Sequence, residues 1–138
     1  MFNINPFIDE DITQEIEFYG LKSYNDDHIS VETVELIGRC DDYFNVNFRT
    51  GNLKVPIFKI DGSLWMSLTP MEIQSQWIAI NTAKGKVGIG GLGMGYALLR
   101  IMEKEEVTSV DVWEINPHVI KFFKSNFRIY QKWQRFIH

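Results

Sequence analysis

Three glycines spaced by two, Gly91, Gly93 and Gly95, and a carboxylate nineteen residues further on, Glu114, are the residues best placed by type and spacing to do chemistry. A glycine run between a strand and a helix has two uses. An abrupt turn demands backbone angles that a Cβ resists, and a ligand lying against main chain needs side chains out of its way. The helix that follows turns its unpaired N–H groups and partial positive charge toward whatever occupies the loop. A carboxylate ending the next strand comes to lie beside that loop, where it can accept hydrogen bonds from both hydroxyls of a ribose. The chemistry expected is therefore nucleotide binding. Gly88, Gly90 and Gly93 also fit G-x-G-x-x-G, so a nicotinamide or flavin dinucleotide is an alternative occupant. The purely structural alternative is a tight turn with a solvated Glu114.

The elements that must position these residues are legible around them. Lys86–Ile89 is short and apolar enough for a buried parallel strand. Tyr96 to Lys104 reads as a helix with Ala97, Leu98, Ile101 and Met102 inward, and Val107 to Glu114 as a second strand. In that strand Val110 and Val112 share one face, and Asp111 and Trp113 the other. Pro117 sits at the favoured first position of a helix whose inner stripe is Val119, Ile120, Phe123 and Phe127. Strand, loop, helix, strand and helix in this order imply parallel strands joined by a right-handed crossover.

Upstream the pattern is different. Residues 34–40 and 43–49 cluster apolar residues at strand spacing around an Asp41-Asp42 turn. Leu53–Ile60 is a strand in which Pro56 calls for an edge position or a bulge. Asp61-Gly62 then turns into Ser63–Leu68, so residues 1–68 read as a small antiparallel β-rich subdomain. Asp9–Tyr19 reads as a short helix with Ile12, Ile16 and Tyr19 on one stripe. Thr69-Pro70-Met71-Glu72 is a capping box opening a connecting helix, with Met71, Ile73, Trp77, Ile78 and Ile80 apolar along it.

Composition sets the outer bounds. With 45% hydrophobic and 23% charged residues in 138, the chain has the makings of one ordinary folded domain, and disorder is excluded. No apolar run reaches the roughly 20 residues of a membrane helix, and the N-terminus lacks a secretory pattern, so a cytoplasmic location without membrane contact is expected. Cys40 is the chain's single cysteine, and His28, His118 and His138 lack ligand spacing, so no metal site is expected. Asp61 and Glu72 are candidates for a substrate cleft, while the catalytic residues stay unknown. Residues 1–48 carry eleven acids, whereas residues 117–138 carry Lys121, Lys124, Arg128, Lys132 and Arg135 with none. That asymmetry describes a solvated basic helix face, or a surface that steers an anionic partner.

Residues 84–127 resemble class I S-adenosylmethionine-dependent methyltransferases, and among them the spermidine-synthase-like group. The family's first motif, an apolar strand and G-x-G-x-G, is matched by Gly91, Gly93 and Gly95. Its second, an acid, an apolar residue, Asp or Asn and then Pro, is matched by Glu114-Ile115-Asn116-Pro117. The hairpin at Asp61-Gly62 and the helix from Thr69 look like the family's N-terminal β domain and its connection. The resemblance implies S-adenosylmethionine as cofactor, held by Gly91, Gly93, Gly95, Glu114 and Ile115. It implies a partial Rossmann-like methyltransferase fold over 84–138, joined through a connecting segment at 69–83 to the subdomain of 1–68. The acid that many methyltransferases carry two positions before the first glycine is replaced here by Ile89. Arg135–His138 resembles the opening of the family's third strand, so a truncated and inactive half-fold is expected. Without the fourth strand, the Lys86–Ile89 edge lacks a partner, and a homo-oligomer formed through that edge or the β subdomain is the expectation. The alternative reading is a non-catalytic assembly module with a vestigial loop.

Overall fold

A computed structural model describes residue 5 and residues 9–19, 21–36, 39–40, 48–49 and 53–126. It is a mixed α/β protein that divides into two compact units, Met1–Asn81 and Thr82–His138.

The first unit opens with α1, Asp9–Tyr19, whose bounds and buried stripe of Ile12, Ile16 and Tyr19 agree with the periodicity. Then come β1 (Tyr24–Asn25), β2 (Ile29–Leu36), β3 (Arg39–Cys40), β4 (Phe48–Arg49), β5 (Leu53–Ile60) and β6 (Ser63–Ser67). Four of these form an antiparallel sheet in the order β1-β2-β5-β6, while β3 and β4 pair separately. The two segments expected to form a hairpin do pair, as β3 and β4, but the register, Arg39↔Arg49 and Cys40↔Phe48, leaves residues 41–47 between the strands and rules out the tight turn expected at Asp41-Asp42, which would set Cys40 opposite Tyr43. The long partner of β2 is instead β5, in register from Ile29↔Ile60 to Leu36↔Leu53. Local alternation identifies a strand but not the distant strand that completes its ladder.

Pro56 lies in an inner strand, which departs from the edge position expected of it. Its carbonyl accepts Leu68 N–H at 3.0 Å, one residue past the end of β6. The N and C=O of one residue point the same way in an antiparallel strand, so the missing N–H faces the side on which β6 has ended and removes no bond to β2. The irregularity that proline called for is also present. The β5–β6 register slips between Phe58 and Lys59, leaving Trp65 as the extra residue on β6. Ile29, Val31, Phe58 and Ile60 are buried across the paired strands.

Helix α2, Pro70–Thr82, starts where the capping box places it and forms one half of that box, with Glu72 N–H donating to Thr69 Oγ1 at 3.4 Å while the Glu72 carboxylate accepts Gln76 Nε2 instead of reaching back to Thr69. Of the apolar residues along it, Ile73 and Ile80 are buried and Trp77 half-buried, whereas Met71 and Ile78 are exposed. The reason is angular: at 3.6 residues per turn, positions 73, 77 and 80 share a stripe, and 71 and 78 lie on the far side of the helix from it. Gln74 is buried beside that stripe.

The second unit contains β7 (Gly85–Gly90), α3 (Tyr96–Met102), β8 (Val107–Trp113) and α4 (Pro117–Asn126). Strands β7 and β8 are parallel, joined through α3. Val110 and Val112 are fully buried and pair with half-buried Val87 and Ile89. The opposite face presents Gly88 beside Asp111 and Gly90 beside Trp113, with Trp113 57% exposed. Helix α3 is shorter than expected. It buries Tyr96, Leu98, Leu99, Arg100 and Ile101, while Ala97 and Met102 stay half-buried. In α4 the buried residues are Val119, Phe122 and Phe123, Ile120 is half-buried, and Phe127 lies outside the described residues.

Candidate nucleotide-binding loop

The loop between β7 and α3 is built by the three glycines at two-residue spacing. Gly91, Gly93 and Gly95 have φ of 85°, 53° and 81°, all in the left-handed region that a Cβ disfavours. Gly88 and Gly90 belong to β7 and keep the negative φ of a strand. Gly91 N–H donates to Trp113 O at 2.7 Å, carrying the β7–β8 contact one residue past the strand. Gly95 N–H donates to Leu92 O at 2.8 Å and its own carbonyl receives Leu99 N–H at 2.9 Å, so this residue both closes the loop and opens α3.

Glu114 follows β8 directly and is half-buried. One carboxylate oxygen accepts Leu92 N–H at 2.8 Å and the other accepts Asn116 N–H at 2.8 Å. The side chain thereby ties the glycine loop to the segment that opens α4. Asn116 continues the chain of contacts: its Oδ1 accepts His118 N–H at 2.9 Å and its carbonyl accepts Ile120 N–H at 3.1 Å, an N-cap with Pro117 at the first helical position. A carboxylate has about four lone-pair directions, and two are used here, so Glu114 retains acceptor capacity. The region above the first glycines is open, since a Cβ on Gly90 or Gly91 would meet nothing within 4 Å. Ile115 is 98% exposed, an apolar side chain with no cover beside that carboxylate.

The five residues expected to hold a cofactor are thus brought together in one unit, on the loop after β7 and the turn after β8. The other candidates go elsewhere. Asp61, at the β5–β6 turn, lies 2.8 Å from His28 Nδ1. Glu72 accepts a bond from Gln76 Nε2 at 3.4 Å on α2. His118 is a helix-start residue, and Tyr96 is buried. His138 and Arg135 lie outside the described residues. Sequence reasoning missed Leu92, whose main-chain N–H meets Glu114, and Phe123, which packs on Gly95. No residue-type signal marks a backbone donor, and Phe123 reads in sequence only as a core position.

Among the described residues no group of three or more His, Cys, Asp and Glu side chains is arranged to hold a metal ion, and no helix is long and apolar enough to cross a membrane. Compared with known protein families, curated proteins and solved structures, the chain shows no match.

Proposed function

We propose that the second unit binds S-adenosylmethionine, as the nucleotide-binding part of a Rossmann-like methyltransferase or aminopropyltransferase. The observation that carries this reading is the position of Glu114: bonded to the loop at Leu92, half-buried, with acceptor capacity left, and next to an open glycine turn. These residues fit the cofactor. Gly91, Gly93 and Gly95 hold its methionine portion against main chain, Glu114 receives the ribose hydroxyls, and Ile115 offers the apolar surface beside them. When bound, the cofactor supplies a sulfonium-activated methyl or aminopropyl carbon; the task of this unit is to bind and orient it. The dinucleotide alternative is less well supported, because Gly88 and Gly90 are strand residues and the turn is made by Gly91, Gly93 and Gly95.

Isothermal titration with S-adenosylmethionine, S-adenosylhomocysteine and NAD tests the reading. The expected result is binding of the first two near the micromolar range, lost in Glu114→Ala while circular dichroism shows an unchanged fold. NAD binding alone would replace the cofactor assignment, and folded protein that binds none of the three favours an assembly module. Self-association belongs to the same proposal: among the described residues β7 pairs only with β8, and light scattering tests whether a second copy covers its other edge.

A further inference from the structure

The loop is gripped at two points by the chain that follows it. Glu114 holds its start through Leu92 N–H. Its end is held by packing. Phe123, 3% exposed on α4, lies so close to Gly95 that a Cβ there would overlap ring atom Cε2 and stand 3.0 Å from Cδ2 and 3.3 Å from Cζ. The ring is not a flexible tip that can swing aside. It is buried on a helix whose first turn is capped by Asn116, and Asn116 N–H is itself bonded to Glu114. Gly95 is also the left-handed residue on which both loop closure and helix start depend.

We infer that Phe123 is a positioning residue for the nucleotide loop: its ring against Gly95, together with Glu114 against Leu92, holds the loop in its binding shape before any ligand arrives. This rests on the reading of the loop as the cofactor site. Close packing transmits a small displacement because interiors have few voids to absorb it, and a preformed loop spares the ligand the cost of ordering it. Gly91 supplies the internal comparison. Its φ of 85° matches the 81° of Gly95, yet nothing lies within 4 Å of its Cβ position. Alanine at either site meets the same backbone strain, and only at Gly95 does it also meet Phe123.

Two measurements test the inference. In the first, Phe123→Val weakens S-adenosylhomocysteine binding about tenfold or more at a temperature where the variant is folded, whereas Val110→Ala, a buried truncation within β8, shifts it by less than about twofold. Equal effects of the two variants would overturn the positioning role. In the second, thermal midpoints are compared for Gly95→Ala and Gly91→Ala, each with and without Phe123→Val. The smaller side chain should reduce the loss caused by Gly95→Ala and leave the loss from Gly91→Ala unchanged; additive losses at Gly95 would overturn the clamp. If the wild-type chain binds neither adenosyl ligand, the cofactor reading fails, and the midpoints alone then decide the clamp.

Discussion

Oε2 of Glu114 accepts the main-chain N–H of Leu92 at 2.8 Å, across a separation of twenty-two residues, while Oε1 accepts Asn116 N–H two residues ahead. One side chain therefore sets the distance between the glycine loop and the start of α4. Any ligand received by Glu114 meets a carboxylate already oriented by two donors.

Removing that carboxylate should destabilise the second unit. Glu114→Ala leaves two partly buried N–H groups without their acceptor, at a cost of about 1–3 kcal/mol. Glu114→Gln keeps one acceptor oxygen but turns an amide NH2 toward the other donor, so it should fall between the two. Urea denaturation gives the order; a fully stable Ala variant would show that the staple contributes nothing.

Asn116 should be worth a helix cap. Asn116→Ala deprives His118 N–H of Oδ1 and should cost about 1 kcal/mol, with Asn116→Ser recovering most of it. An Ala variant as stable as the wild type in thermal unfolding would mean that water replaces the cap without loss.

Gly88 should tolerate alanine. Its Cβ would stand 3.1 Å from Cζ3 of Trp113, and that ring, more than half exposed, has room to lift. The stability change should stay within about 0.5 kcal/mol, with a red shift in tryptophan emission that is absent when Trp113→Phe is the background. A large loss of stability would instead show the indole held in place.

Tyr24 should ionise later than an ordinary phenol. Its hydroxyl donates to Asp26 Oδ2 at 2.8 Å, and that bond, then partial burial, then the Asp26 charge, raise its pKa above 10.0. A raised native value means the stabilising bond is intact below the unfolded pKa near 10 and is lost as pH climbs through the native one. Ultraviolet titration of the wild type against Tyr24→Phe isolates this group. Asp26→Asn should bring its ionisation down; no change in that variant would sink the assignment.

Much of this protein can be read along the chain. The buried stripe of α1, the cap and first turn of α2, the glycine turn and the alternation of Val110 and Val112 all depend on neighbours within a few residues, and local sequence specifies them. So does the choice of Gly91, Gly93 and Gly95, because only a residue without Cβ adopts such angles at little cost. Long-range partnership was not legible. That β2 pairs with β5, that Pro56 is harmless because β6 ends beside it, and that Leu92 N–H meets Glu114 while Phe123 closes on Gly95 were decided by tertiary structure. Each depends on which distant groups come into contact, and an apolar side chain or a main-chain N–H carries no local mark of the partner it will meet.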